Sequence, residues 1–182
     1  MQGSKELIGG LREIDPKQPY GTDLFDALAR ITVSVAVEAV CLRLSRFNLD
    51  EIDGTEYIRR VPEVYLIQRS PTDTAYPGEW HCPGSVLRPG EEDTDVFNRL
   101  VKKEFGGKLS STRFVANVNH PTEARGHFFS LVYLCALEES DGLRGKWFRT
   151  DQLPEKTVES HCYRVIPAAV GAFVAENTKI CR

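Results

Sequence analysis

The 182-residue sequence contains no apolar run close to the roughly 20 residues that a membrane-spanning helix needs. Its first residues, MQGSKELIGG, lack the basic segment followed by an apolar segment that marks a secretory signal peptide. The sequence also lacks internal repeats and low-complexity segments. These absences argue against a membrane, secreted or repeat protein, and we expect a cytoplasmic protein with no membrane partner.

An excess of positive charge is missing as well. The chain has 23 Lys and Arg against 26 Asp and Glu, a formal net charge of −3. Because general nucleic-acid binding needs a basic face, we expect no nucleic-acid partner. Five cysteines, an odd number without a CxxC pair, indicate reduced thiols rather than a disulfide framework. The length and a hydrophobic content of 41% are sufficient for the core of a single globular domain.

What the sequence does contain is a dense pattern of glycine, proline and charge over residues 77–107, PGEWHCPGSVLRPGEEDTDVFNRLVKKEFGG. The pattern predicts a strand, a tight turn, a charged loop and a helix. Asp93 or Thr94 is expected to cap the helix, Asp95 suits the positive end of its dipole, and Gly106–Gly107 is expected to end it. Apolar residues recur there at helical spacing, namely Val96, Phe97, Leu100, Val101 and Phe105.

This stretch resembles the Nudix box, whose pattern is Gly-x5-Glu-x7-Arg-Glu-hydrophobic-x-Glu-Glu-x-Gly-hydrophobic. Residues 77–84 resemble the family's usual lead-in, Pro-Gly-x-Trp-x-x-Pro-Gly. Five positions of the box match in register, and these are Glu91, Arg99, Val101, Glu104 and Gly106. Four positions depart from it: Ser85 replaces the opening glycine, Leu100 and Lys103 replace glutamates, and Gly107 replaces the last hydrophobic residue.

The resemblance implies a hydrolase that uses magnesium to cleave a pyrophosphate between a nucleoside and another group. Magnesium prefers oxygen ligands, and in the family glutamates at positions 100, 103 and 104 supply them from one helix face. Here Leu100 cannot bind a cation, and the ammonium group of Lys103 repels one. We therefore expect that the standard metal cluster is lost.

The rest of the chain predicts an α/β protein, and the resemblance implies a Nudix-like α/β/α sandwich with a mixed sheet. It is reinforced by Gln68-Arg69 at a strand end and by Trp147-Phe148 before Leu153-Pro154. The expected divisions are an N-terminal extension at 1–30, a Nudix-like domain at 31–175 and a tail at 176–182. Strands are predicted at 31–44, 64–68, 114–118, 127–137 (as the central strand) and 146–148. Helices are predicted at 23–30 and near the C-terminus. The remaining segments are expected to be an irregular lead-in at 1–22, a hairpin or loop at 45–62 and a loop at 120–126.

Two hypotheses concern the pocket that the resemblance implies. In the first, the domain binds a nucleoside-diphosphate compound with weak or lost hydrolysis. Lys103 then replaces the metal's charge, while Arg69 and Arg125 add hydrogen bonds. In the second, Glu104 binds Mg²⁺ or Mn²⁺ with Glu91, Glu92 or Asp93, and Glu123 is the general base, so that Glu104 and Glu123 are the catalytic residues. In both hypotheses Gly84, Gly90, Arg99 and Gly106 form the scaffold of the box.

A third hypothesis is that the pocket is vestigial and the domain binds a protein partner through residues 45–62 or its N-terminus. The resemblance also allows a homodimer. His81, His120, His127 and His161 show no metal-binding spacing, and each is interpreted as structural.

Overall fold

The computed structural model describes residues 2–19, 21–45, 48–52, 55–59 and 61–179, with side chains described for 3–19, 21–45 and 61–177. The helices are α1 (Gln2–Glu13), α2 (Thr22–Ala29), α3 (Asp93–Leu100) and α4 (Ile166–Lys179), with π-helical turns at Val101–Phe105 and His161–Val165. The strands are β1 (Val33–Leu44), β2 (Asn48–Ile52), β3 (Thr55–Arg59), β4 (Pro62–Gln68), β5 (Trp80–His81), β6 (Gly84–Val86), β7 (Leu109–Glu123), β8 (Gly126–Leu137) and β9 (Lys146–Arg149).

A mixed seven-stranded sheet forms the middle layer. Its main order is β5-β4-β1-β8-β7, with β6 paired to β1 and β9 paired to β4. β1 runs parallel to β8 and antiparallel to β4 and β6. β1 therefore contacts three strands and is the organising strand of the sheet.

Helices cover both faces of this sheet, as predicted for an α/β/α sandwich. Side chains alternate between the two faces of a strand, so β1 supplies apolar residues to both layers. On one face, Val37 packs with Val96 and Phe97 of α3. On the other face, Val40 packs with Val165 and Ile166 at the start of the C-terminal helix.

The strand predictions at 31–44, 64–68, 127–137 and 146–148 are confirmed to within a few residues. The short helix predicted at 23–30 corresponds to α2, and 45–62 contains the β2–β3 hairpin, with residues 46–47, 53–54 and 60 outside the described part. The predicted central strand, 127–137, is interior, but β1 lies nearer the middle.

Two local predictions were wrong. The lead-in at 1–22 contains helix α1, because Leu7, Ile8 and Leu11 recur at helical spacing and the prolines come only after Glu13. The loop predicted at 120–126 is mostly strand, with Glu123 paired to Gly126 across a two-residue turn. Pro121 is tolerated there because β7 is an edge strand with a register shift at this point.

The cap of α3 also differs from the prediction. The N-cap is Glu92, one residue before Asp93, and Asp95 Oδ2 accepts a hydrogen bond of 3.0 Å from its backbone N–H. Gly106 is left-handed with φ 69°, as its predicted role at the helix end requires. At the C-terminus, residues 176–179 continue α4, while 180–182 lie outside the described residues.

Within the described ranges, every helix is too short or too polar to cross a membrane. Cys41, Cys82, Cys135 and Cys162 are free thiols. The domain boundaries and the homodimer stay predictions.

Candidate functional site

Arg99 ties the box helix to the loop that precedes it. Its Nε and Nη2 donate to the two carboxylate oxygens of Glu91, at 2.8 and 2.7 Å, and its Nη1 donates to Ser85 Oγ at 2.7 Å. The backbone N–H of Arg88 also donates to Glu91 Oε2, at 2.9 Å. Burial alone would raise the pKa of Glu91, but these hydrogen bonds outweigh it and lower the pKa. Both Glu91 oxygens are thus used within the scaffold.

Gly84 brings two other carboxyl groups together. Its backbone N–H donates to Glu104 Oε2 at 3.2 Å. In the sheet register it lies opposite Glu38, and a Cβ at position 84 would be only 2.1 Å from Glu38 Oε2. The close approach of the Glu38 carboxyl therefore requires a glycine here. Glu38 is the acidic residue of an otherwise apolar part of β1 and is 9% exposed.

The two carboxyl groups are hard to ionise. Burial raises the pKa of Glu38 to about 8, and the neighbouring charge of Glu104 adds to the effect. Burial also raises the pKa of Glu104 to about 7, against the hydrogen bond from Gly84 and the positive charge of Arg69. At neutral pH Glu38 is mainly protonated, so it can donate as well as accept a hydrogen bond.

A cavity of about 450 Å³ opens beside Glu38, which lines it together with Gly84. The N-terminal segment forms one wall, with Gln18, Thr22 and Phe25. This wall is held in place because the Phe25 ring packs against Phe128, with centroids 6.4 Å apart. The polar lining includes Glu38, Arg69, Tyr76, Glu123, Ser130 and His161.

Arg69 and Arg125 both line the cavity, and both are ion-paired to Asp73. Arg69 Nη2 donates to Asp73 Oδ2 at 2.8 Å, and Arg125 Nη2 lies 3.2 Å from Asp73 Oδ1. Arg125 also pairs with Asp26 of α2, which anchors the N-terminal wall. Although burial opposes it, hydrogen bonds from Arg69 and the backbone hold the pKa of Asp73 well below its usual range. Arg69 Nε is buried and has no hydrogen-bond partner among the described residues.

Glu123 also faces the cavity, at the end of β7. Its Oε2 accepts a hydrogen bond from the Tyr76 hydroxyl, and His120 Nδ1 lies 3.5 Å from its Oε1. Burial and the contact with Glu123 raise the pKa of Tyr76 to about 12. Glu123 thus lies in the lining of the cavity, and its role as general base stays a prediction.

The residues predicted to bind a metal do not converge. Leu100 is 1% exposed and belongs to the hydrophobic core. Lys103 is exposed and lies outside the cavity lining, so the structure does not bring it to a ligand there. Glu91 contacts Arg99, whereas Glu104 contacts Gly84. In the part of the chain with described side chains, no group of three or more His, Cys, Asp or Glu could hold a metal ion. These residues do not fit the metal cluster of the Nudix box.

The three box positions that were expected on one helix face do not all share it, for a geometric reason. Positions 100, 103 and 104 lie on one face of a continuous α-helix, but residues 101–105 form a π-helical turn, and this turn rotates position 103 away from position 100. A π-helical turn inserts an extra residue per turn, which rotates the positions after it relative to those before. The sequence pattern gave no indication of this insertion.

The cavity residues that the sequence analysis missed include Glu38 and His161. The sequence contains an indication of Glu38, because a single acidic residue within a buried apolar strand is uncommon. It contains no indication of His161, since this residue reaches the cavity from the C-terminal part of the chain and its contacts exist only in the fold.

Solved structures similar to this chain are Nudix proteins. A MutT Nudix hydrolase from Burkholderia pseudomallei is 21% identical with a TM-score of 0.53, over 76% of this chain and 97% of its own. A MutT/Nudix family protein from Listeria innocua is 15% identical with a TM-score of 0.57, over 80% and 96% of the two chains. The Nudix domain of Shewanella oneidensis NrtR, solved in complex with ADP ribose, is 17% identical with a TM-score of 0.53, over 90% and 96%.

No family sequence profile matches the chain, and no curated protein matches it in sequence. Identities this low show the fold and leave the activity open. The chain has the Nudix fold, as its box and its sheet topology predict.

Proposed function

We propose that this chain is a Nudix-fold domain that binds a nucleoside-diphosphate compound in the cavity, with weak or lost hydrolysis. The observation that carries the proposal is a contrast between two parts of one site. A cavity of about 450 Å³ whose lining includes charged side chains is present, whereas the helix position that would supply a metal ligand is filled by buried Leu100. Retained binding without efficient chemistry is the simplest function for such a site.

Arg69 is the residue that we assign to the diphosphate. It lines the cavity, and among the described residues its guanidinium has one hydrogen-bonded side-chain partner, Asp73, which it contacts through Nη2. Hydrogen bonds between a guanidinium and a phosphate are charge-assisted and stronger than neutral ones. Lys103, which the sequence suggested for the same role, is exposed and outside the cavity lining, so we assign it no contact with the ligand.

The fold of the NrtR domain supports the ligand class by analogy only. That domain was solved with ADP ribose, a nucleoside diphosphate linked to a second sugar. ADP-ribose is therefore the first probe to test here.

The test is calorimetric titration of ADP-ribose into the protein, first without metal and then with Mg²⁺. We expect binding without metal. We also expect the free energy of unfolding to rise by about 2.7 kcal/mol when the ligand is at 100 times its dissociation constant. Arg69→Gln should weaken binding about tenfold or more, because it removes a charge-assisted hydrogen bond. The matched control is Arg113→Gln, since Arg113 pairs with Glu176 and does not line the cavity. Absence of binding to the wild type in both conditions would contradict the proposal.

One observation favours an active hydrolase as the alternative. Glu123 lines the cavity, where a general base would have to be, although it is already bonded to Tyr76. Chromatography of the same samples decides between the two functions. Mg²⁺-dependent cleavage that disappears in both Glu104→Gln and Glu123→Gln would establish the hydrolase.

A further inference from the structure

The tautomer of His161 is fixed by one hydrogen bond. The backbone N–H of Cys82 donates to His161 Nδ1 at 3.0 Å. Nδ1 is therefore the acceptor of the ring, and the proton of the neutral imidazole is on Nε2. Burial, together with the neighbouring His81 and His120, lowers the pKa of His161 well below its usual value, so the ring is neutral at pH 7. His161 thus offers a single uncharged donor.

That donor faces Glu38 across a gap. His161 Nε2 lies 4.0 Å from Glu38 Oε2, and both residues line the cavity. A distance of 4.0 Å is too long for a hydrogen bond, and among the described residues Nε2 has no hydrogen-bond partner. One oxygen atom can nevertheless lie within about 2.7–3.2 Å of both atoms. The geometry leaves a donor and an acceptor for a single oxygen.

We propose that His161 Nε2 and Glu38 Oε2 together bind one hydroxyl group of the ligand, and that this hydroxyl belongs to its sugar. The assignment rests on the proposed function, since it names a subsite of the same cavity. A hydroxyl accepts one hydrogen bond and donates another, so it satisfies both side chains at once. The Ser130 hydroxyl lies 3.5 Å from Glu38 Oε1, on the other side of the carboxyl. With the Glu38 proton on Oε1, Oε2 is the acceptor that the ligand hydroxyl needs.

A phosphate oxygen suits this position less well. It accepts hydrogen bonds but does not donate them, and it is negatively charged. The charges of Glu104 and Glu123 raise the pKa of Glu38, against the positive charge of Arg69, so a further anion beside Glu38 would meet the same two carboxylates. The diphosphate is expected nearer Arg69, and the uncharged sugar nearer Glu38 and His161.

Two substitutions at position 161 separate the two nitrogens of the ring. In His161→Asn, the amide oxygen can replace Nδ1 as the acceptor for Cys82, while the Nε2 donor is lost. In His161→Gln, the amide group can replace Nε2, while the bond to Cys82 is lost. We expect His161→Asn to weaken ADP-ribose binding about tenfold with little change in unfolding, and His161→Gln to show the reverse.

Glu38→Met removes the acceptor with an unbranched side chain of similar length, and should also weaken ADP-ribose binding about tenfold. His127→Asn is the matched control, because His127 bonds Asn119 and does not line the cavity. Inorganic pyrophosphate, which has no sugar, is the second probe. Its affinity should be unchanged in His161→Asn and Glu38→Met.

The outcomes separate this inference from the proposed function. Unchanged ADP-ribose affinity in folded His161→Asn and Glu38→Met would overturn it, as would an equal loss of pyrophosphate affinity. If the wild type binds no ADP-ribose, the proposed function fails, and D-ribose then becomes the deciding probe in saturation-transfer NMR. A D-ribose signal that disappears in His161→Asn would still support the subsite, and no signal in the wild type would overturn it.

Discussion

Glu38→Gln should make the protein more stable at alkaline pH. The substitution keeps the shape of the side chain and removes its ionisation. The pKa of Glu38 is raised by burial from 4.5 to about 8 in the folded protein. Between these two pH values the folded state holds a proton that the unfolded state has released, so the wild type loses stability as the pH rises.

The size of the effect follows from the shift. A difference of about 3.5 units, from 4.5 to about 8, corresponds at about 1.4 kcal/mol per unit to about 5 kcal/mol. This value is an upper limit, because water penetration and relaxation screen a buried charge. We expect Glu38→Gln to match the wild type within about 1 kcal/mol at pH 5, and to exceed it by about 3–5 kcal/mol above pH 8.

The assay is urea unfolding of both proteins across this pH range, with exposed Glu155→Gln as the control. His81, His120 and His161 have pKa values lowered by burial, so they reduce stability as the pH falls below 6.5. This contribution is common to both proteins and is removed by taking their difference. A difference that stays constant with pH, or that favours the wild type at high pH, would refute the assignment of a buried protonated carboxyl to Glu38.

Three further substitutions test the scaffold. Arg99→Lys should lower the free energy of unfolding by about 2 kcal/mol in urea, because lysine cannot make the bidentate pair with Glu91; a loss below about 0.5 kcal/mol would contradict this. Gly84→Ala should cost about 1–3 kcal/mol, because its Cβ would lie 2.1 Å from Glu38 Oε2, and Glu38→Asp should restore part of the loss in a double-mutant cycle. Leu100→Glu should lower the free energy of unfolding by about 3 kcal/mol or more, since it puts a carboxylate into the core. We expect no Mn²⁺ binding to this variant when it is measured by electron paramagnetic resonance. A stable variant that binds Mn²⁺ would show that position 100 can still face a metal.

The sheet and the box helix could be predicted because short-range patterns determine them. β1 alternates and is rich in β-branched residues, and residues 96–105 place apolar side chains at helical spacing. The left-handed end of the helix follows from the conformational freedom of Gly106, whose φ is 69°. Arg99 could be recognised as a scaffold residue because the box fixes its register relative to Glu91.

The position of Lys103 could not be predicted, because it depends on how the helix winds. The sequence analysis assumed a continuous α-helix, whereas the π-helical turn over residues 101–105 changes which side chains follow Leu100 on the same face. The role of the N-terminal segment was missed for a different reason. Its packing on the cavity depends on Phe25 meeting Phe128 and on Asp26 meeting Arg125, contacts between residues about a hundred positions apart.

The loss of the box glutamates and the high pKa values at the cavity have a common electrostatic basis. A divalent cation between carboxylates keeps them ionised, and it needs several of them at once. Here Leu100 removes one candidate ligand, Glu91 is bonded to Arg99, and Glu104 and Glu38 share a buried position. Protonation removes the charge of Glu38 and Glu104 and so lowers the free energy of burying them together. A protonated carboxyl donates one hydrogen bond and accepts another, so it suits an uncharged partner that does the same. This is why we assign the Glu38 end of the cavity to a sugar hydroxyl.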